Sequence, residues 1–281
     1  MKLYSRVQIP LSGHPFKLDE KITILGSCFA DSVGAKLQQA GFCTCINPFG
    51  TLYNPASLRS AVARLDGKDL FGPSDCVEMG AGAGRICSFE HHTSFSRPTA
   101  EDFLRNANAR LQEAREFWAS CNRVILSLGT SFIWEAAGKV VSNCLKRPAA
   151  EFTRRILDTE ESVMLLRSII SAHPEKRFLL TVSPIRHLGD GAHANTVSKA
   201  RLLLAVDECQ EADYFPAFEI LYDELRDYRF YAEDLVHPSP VAVDYIWERF
   251  LESFTLASER EAILQNEKTA RREAHRPLSD R

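Results

Sequence analysis

Ile22 to Gly26 (ITILG) is a short apolar run of the kind that fills a strand buried on both faces. Val33, Leu37 and Ala40 then recur at helical spacing, and Gly41 sits where a helix C-terminus favours glycine. Phe42 to Ile46 reads as a second strand. Asn54-Pro55 opens another helix, because Asn caps a helix and Pro suits its first position. Residues 66–98 are irregular and glycine-rich, with GAGAG at 80–84, which predicts a long insertion with a hairpin. Thr99 and Asp102 form a capping-box-like start to a helix running to about Ala119. Arg123 to Leu128 (RVILSL) is a third core strand, ended by Gly129. A helix over 159–172 precedes a strand over 177–183, and a helix from about 196 to 208 precedes a weaker strand at 212–218. The last clear helix begins near Ser239 and contains Ala242, Tyr245, Ile246 and Phe250. From 257 the chain is charged, with Lys268, Arg271, Arg272 and Arg276, and an exposed, fraying helix is expected there.

Strands alternating with helices imply βαβ units and a mostly parallel sheet with right-handed crossovers. No repeat and no clean linker divides the chain, so a single α/β domain is expected over 1–256, followed by a tail over 257–281. In such sheets, function gathers in the loops beyond the carboxyl ends of the strands.

Two segments meet that condition with chemically useful residues. Gly26-Ser27-Cys28-Phe29-Ala30 follows the first strand and opens the first helix. A nucleophile there is exposed on a tight turn, and the helix N-terminus favours a thiolate or an oxyanion. The plainer alternative is that Gly26 makes the turn, Ser27 caps the helix and Cys28 is buried. Asp234-Leu235-Val236-His237-Pro238 lies just before the last helix. An Asp three residues before a His can accept the Nδ1 proton, leaving Nε2 as a base. Nucleophile, base and orienting carboxylate together form the set that acyl chemistry needs.

Composition narrows the context. With 281 residues, 45% hydrophobic and 25% charged, the chain is long enough to bury a sizeable core. A net charge of −3 gives no broad attraction to nucleic acid. No apolar run reaches the ~18–20 residues of a membrane span, and the first twenty residues lack a signal-peptide core. A cytoplasmic protein is therefore expected, free of membrane and nucleic-acid partners, with its eight cysteines reduced.

Several ordered motifs carry a resemblance: Gly26 to Ala30, Asn47-Pro48-Phe49-Gly50, Tyr53-Asn54-Pro55, His91 to Ser96, Leu128-Gly129-Thr130, Ser142-Asn143-Cys144, Ser183 to His187, Ser198-Lys199 and Asp234 to Ser239. Over about residues 20–255 the chain resembles the GSCFA family, grouped with the SGNH/GDSL hydrolases. The resemblance implies a three-layer α/β/α sandwich of flavodoxin-like type that needs no cofactor. It implies Cys28 at the nucleophile position, where that superfamily has Ser, and Ser27 where it has Asp. Ser27 stays open as the nucleophile. Asp234, His237 and Pro238 match the last block directly. The oxyanion Gly falls near Gly50. The third block lands on Gly129-Thr130-Ser131-Phe132, where Ser131 replaces the oxyanion Asn, with Asn143 as a substitute donor. Leu145 stands where relatives often have His.

The remaining polar residues give a pocket. His92 lies in the insertion, and Arg186 and His187 follow a core strand, where an Arg suits a carboxylate, phosphate or sugar. A metal set of His92, His187 and His193 is the alternative, although no ligand spacing such as HExxH occurs and none is expected. The 223–231 segment reads as aromatic stems under a solvated charged face. The expected function is hydrolysis of a small-molecule or carbohydrate ester through a covalent acyl-enzyme. Acyl transfer at the same site, a non-catalytic binding protein and a metal-dependent hydrolase are the alternatives. The sequence does not set the oligomeric state.

Overall fold

The computed structural model describes residues 4–274. Its first half runs β1 (Lys21–Gly26), α1 (Cys28–Gln39), β2 (Cys43–Ile46), α2 (Pro55–Asp66), β3 (Val77–Glu78), β4 (Ile86–Cys87), α3 (Ala100–Ser120) and β5 (Arg123–Leu128). There follow β6 (Phe132–Ala136), β7 (Lys139–Val141), β8 (Thr153–Ile156), α4 (Thr159–Ser171) and β9 (Arg177–Val182). The chain continues with α5 (Gly191–Glu208), β10 (Asp213–Tyr214), α6 (Ala217–Glu219), α7 (Pro240–Phe254) and α8 (Arg260–Ala274).

The central sheet is five-stranded and parallel, in the order β10-β9-β5-β1-β2. This is the flavodoxin-like order, and it reverses direction between β1 and β5. Side chains alternate across it. Leu25, Leu126, Leu128 and Leu180 enter one apolar layer with α2, α3, α4 and α5, whereas Ile24, Ile125 and Leu179 enter the other with α1, α6, α7 and α8. The three-layer expectation therefore holds, and burial on both faces explains the unbroken apolar runs of β1, β5 and β9.

The helix starts follow their caps. Ser27, Asn54, Thr99, Asp158 and Ser239 each accept a backbone N–H from the first turn, and Pro55 and Pro240 occupy first helical positions. Because β1 and α1 meet at Ser27, the N-terminus of α1 is aimed out of the carboxyl edge of the sheet.

Four segments depart from the sequence pattern. Residues 191–195, ahead of the helix expected from about 196, are the first turn of α5: Ala192 and Ala194 favour helix, and Arg154 grips the Asp190 carboxylate with both terminal guanidinium nitrogens at the helix start. The strand expected over 212–218 is reduced to Asp213–Tyr214, because Pro216 has no N–H and Ala217 begins a helix. A three-stranded antiparallel sheet, β7-β6-β8, follows β5, where the sequence suggests no more than a hairpin carrying Asn143. The helix of the charged tail is docked through Ile263, fully buried, and Glu267, which accepts the Trp247 Nε1 proton at 2.7 Å. Lys268, Arg271 and Arg272 do face solvent, while Arg276 and the rest of 275–281 lie outside the described residues.

A seam joins distant parts of the chain. Ser12 N–H donates to Ser253 O at 2.8 Å and Phe16 N–H donates to Phe254 O at 2.7 Å, while Phe16 packs edge-on against Phe250. Among the described residues, no helix is long and apolar enough to cross a membrane.

Candidate active site

The switch in strand order opens a crevice at the carboxyl ends of β1 and β5, and the GSCFA turn lies there. Gly26 has φ +153° and a Cβ would meet Ser127 O at 2.3 Å, so only glycine lets β1 turn this tightly into α1. Ser27 is 1% exposed; its hydroxyl accepts the Phe29 N–H and pairs with Ser127 Oγ at 3.2 Å. As a buried cap it has no route to a substrate, and it departs from the nucleophile alternative for that reason. Cys28 is partly exposed at the first position of α1, its Sγ 3.6 Å from Tyr53 Oη. Its own N–H has no hydrogen-bond partner among the described residues, as first-turn amides do when a ligand is left to take them. The Tyr53 hydroxyl also pairs with Thr51 Oγ1 at 3.0 Å. Burial, ahead of a lowering by the Thr51 bond, pushes this phenol up to about 12, so it keeps its proton at neutral pH.

A cleft of about 480 Å³ opens in front of Cys28, lined by Asp31, Asn47, Gly50, Thr51 and His92. Asn47 ties its walls together: Oδ1 accepts the Gly26 N–H at 2.8 Å and Nδ2 donates to Asp31 at 2.6 Å. The 66–98 insertion supplies the outer wall. His92 N–H donates to Phe49 O at 2.9 Å, and a Cβ on Gly50, at φ +80°, would meet His92 Cβ at 2.3 Å. Gly50 is thus required for the close approach of the insertion. Its amide donates to Asn47 O at 2.8 Å, so the expected oxyanion role of that N–H does not fit. The His92 Nδ1 accepts the Ser94 N–H, which leaves the proton of the neutral ring on Nε2. His91, by contrast, is packed among Phe49, Phe71, Phe95 and Phe103, and burial pushes its ring down to about 3.

Asp234 and His237 form the expected pair. His237 Nδ1 lies 2.7 Å from Asp234 Oδ2, and Asp234 Oδ1 accepts the N–H groups of Val236 and His237, both at 2.9 Å. These bonds, the two backbone amides foremost, pull the Asp234 carboxyl down to about 2. The arrangement puts the proton of the neutral ring on Nδ1 and frees Nε2 as a base. The pair stands two residues before the Ser239 cap of α7, which packs on α1, the helix that Cys28 opens. Among the described residues, His237 makes no hydrogen bond to Cys28.

Other expected site residues serve the scaffold. Ser131 is fully buried and bonded to Ser198, so it does not face the cleft in place of an Asn. The Gly129 N–H donates to Tyr53 O at 2.8 Å, and its carbonyl accepts Lys199 Nζ at 2.6 Å and His187 Nε2 at 3.0 Å. Gly129 therefore positions Tyr53 and offers no free donor. Asn143 accepts the Leu145 N–H and closes its own turn, away from the lining of the Cys28 cleft. His187 stands edge-on to Tyr53, with ring centroids 6.4 Å apart, and burial pushes its ring down to about 4. Arg186 faces a different cavity and donates to Leu235 O at 3.1 Å, which ties the segment after β9 to the His237 turn. Among the described residues, no group of three or more His, Cys, Asp or Glu side chains could hold a metal ion, so His92, His187 and His193 do not converge.

Sequence reasoning gave no role to Tyr53, Asn47, Thr51 or Lys199. Tyr53, Asn47 and Lys199 lie inside motifs that carried the resemblance, but a residue's place in a motif does not reveal the atom it touches.

The fold and this cluster define a doubly wound α/β protein with a thiol, a phenol and a carboxylate–histidine pair at the carboxyl edge of its sheet. The chain belongs to the GSCFA family, whose model matches residues 21–250. No curated protein matches the chain. Among solved structures, a Bacteroides fragilis protein assigned as an acylhydrolase is 8% identical with a TM-score of 0.41, over 89% of this chain and 91% of that one. The psychrotrophic esterase EstA from Pseudoalteromonas sp., solved with monoethylphosphonate as inhibitor, is 14% identical with a TM-score of 0.34, over 84% of this chain and 96% of that one.

Proposed function

We propose that this protein hydrolyses an ester through a thioester on Cys28. One observation carries the reading: the only exposed nucleophile of the GSCFA turn sits on a helix N-terminus, beside a protonated phenol and next to the helix that presents a carboxylate-oriented histidine. His237 Nε2 takes the Cys28 proton as sulfur attacks the acyl carbon. The oxyanion faces the unused Cys28 N–H, with the Tyr53 hydroxyl as the nearest second donor. Collapse expels the alcohol, which takes its proton from His237. Water then attacks the thioester, His237 removes its proton, and the carboxylic acid leaves as the thiol re-forms. A second alcohol in place of water gives acyl transfer with the same balance. Approach of His237 to Cys28 has to accompany substrate binding, as catalytic hydrogen bonds often tighten only then.

The missing His237–Cys28 bond favours a second reading, a non-catalytic binding protein on the same scaffold. Hydrolysis of short-chain p-nitrophenyl and acetylated-sugar esters separates the two. Turnover lost in both Cys28→Ala and His237→Ala, and kept in Ser27→Ala, supports the enzyme. No turnover by the wild type across the panel supports binding alone.

A further inference from the structure

A second cavity, of about 460 Å³, lies between α5, the helical segment from Ala217 to Leu225 and the turn at Tyr228–Phe230. Its size suits a small molecule. Phe218 and Tyr222 stack at 5.3 Å on its wall, and Tyr228 and Tyr231 flank the Arg186 guanidinium at 5.8 and 5.3 Å. Tyr222 and Tyr228 are 63% and 65% exposed. Aromatic faces left in water around a cavity are unfavourable unless a ring-shaped partner covers them.

The charges on the lining are mostly positive. Arg186 and Arg226 line it, with the Lys199 stem beneath; Arg226 pairs with Asp223 at 3.4 Å and the one lining acid, Asp227, is held by Arg229 at 2.9 Å, so Arg186 is the guanidinium without an acidic partner among the described residues. Arg186 spends Nη1 on Leu235 O, which leaves most of its donor fork for an anion. The Asn195 amide nitrogen and the tyrosine hydroxyls add hydrogen-bonding groups beside the apolar floor of Leu203, Phe218 and Leu221, while the Asn195 oxygen is taken by the His187 N–H and the Thr196 hydroxyl donates to Ala192 O. Flat apolar faces, several hydroxyl partners and an arginine fork match a sugar ring carrying an acidic group.

Two residues link the cavity to the reacting groups. Arg186 holds the His237 turn from one side, and the next residue, His187, stands against Tyr53, the partner of Cys28.

We propose that this cavity binds an anionic sugar, the carbohydrate part of the ester that Cys28 attacks. Its role as substrate site rests on the hydrolase reading; binding itself does not. The test is therefore made on Cys28→Ala protein, which binds without turnover. Calorimetric titration uses glucuronate, glucose 6-phosphate, neutral glucose and benzoate, against the Cys28→Ala background and against that background carrying Arg186→Ala or Tyr222→Ala. Glucuronate or glucose 6-phosphate is expected to bind at least roughly tenfold tighter than glucose, the worth of one charged hydrogen bond. Arg186→Ala should remove that preference, and the largely exposed Tyr222→Ala should weaken both sugars without unfolding the chain. Carboxylate or phosphate as the acidic group is read from which of the two binds better. Equal binding of glucose, tighter binding of benzoate, an unchanged affinity in Arg186→Ala, or no heat from either anionic sugar each overturns the proposal. Binding as expected with no ester turnover by the wild type would leave the cavity standing and remove the hydrolase reading.

Discussion

The Tyr53 hydroxyl lies 3.6 Å from Cys28 Sγ and keeps its proton, since burial holds the phenol at about 12. A protonated phenol beside a sulfur is a hydrogen-bond donor that no local pattern announces. Tyr53→Phe removes that donor and leaves the ring against His187. We expect a roughly hundredfold loss of kcat on p-nitrophenyl acetate, typical of one lost oxyanion donor, with little change in KM. A loss confined to KM would assign Tyr53 to substrate packing instead.

Cys28 and Ser27 separate by the kind of damage they suffer. Cys28→Ala should abolish turnover and leave the urea midpoint almost unchanged. Ser27→Ala should retain turnover but lower stability by about 1 kcal/mol through loss of the α1 cap. The reverse result would move the nucleophile by one residue.

The His237 pair should respond to its carboxylate. His237→Ala is expected to cost about 10²–10⁴-fold in kcat. Asp234→Asn should also lower kcat, because an amide cannot hold the ring tautomer as a carboxylate does. Full activity of Asp234→Asn would show that the hydrogen bond at 2.7 Å does not orient a working base.

Acid should destabilise the fold before it touches most carboxylates. Burial depresses His91 to about 3 and His187 to about 4, from an ordinary value near 6.5. Both rings bind protons more readily when unfolded, so their stability contribution is present above about 6.5 and declines as pH falls, ending near 4 for His187 and near 3 for His91. Each fully engaged ring gives a slope of up to about 1.4 kcal/mol per pH unit. Urea midpoints measured from pH 7 to 4 should fall steeply in the wild type and less steeply in His91→Phe, which keeps the four-phenylalanine packing. Parallel slopes would show that His91 takes up its proton without unfolding.

Docking of α8 is tested by Ile263→Ala. Removing a fully buried side chain should cost about 2–4 kcal/mol in urea unfolding. A change below about 0.5 kcal/mol would return the helix to the solvated tail that its charge pattern describes.

Much of this was readable in advance, and the reasons are local. A strand buried on both faces must be apolar throughout, so ITILG and RVILSL could be read directly. Asn54-Pro55 and Ser239-Pro240 state their caps within two residues. Asp234 and His237 meet within one turn, so their spacing was sufficient. The β6–β8 sheet was not visible because Trp134–Arg154 and Phe132–Ile156 pair across intervening turns, and exposed strands such as TRRI carry no apolar run. The oxyanion expectations at Gly129 and Ser131 failed for a similar reason, since Tyr53 and Ser198, distant in sequence, take their polar groups; the Gly50 amide is instead turned back onto Asn47 O within its own motif, a local turn that residue types alone do not reveal.

The seam that pairs Ser12 and Phe16 with Ser253 and Phe254 sets an order of events during synthesis. The β1 strand, between β5 and β2 in the sheet, leaves the ribosome before either of them. Of the helix layer that covers one of its faces, α1 follows at once, but α7 and α8 come more than 200 residues later. Until residue 254 is free, Ile22 and Ile24 lack the α7 part of that cover, and the growing chain has to hold an incompletely covered sheet. Contacts this distant in sequence make closure slow. The interval before closure is then the stage at which this apolar face is most open to other chains.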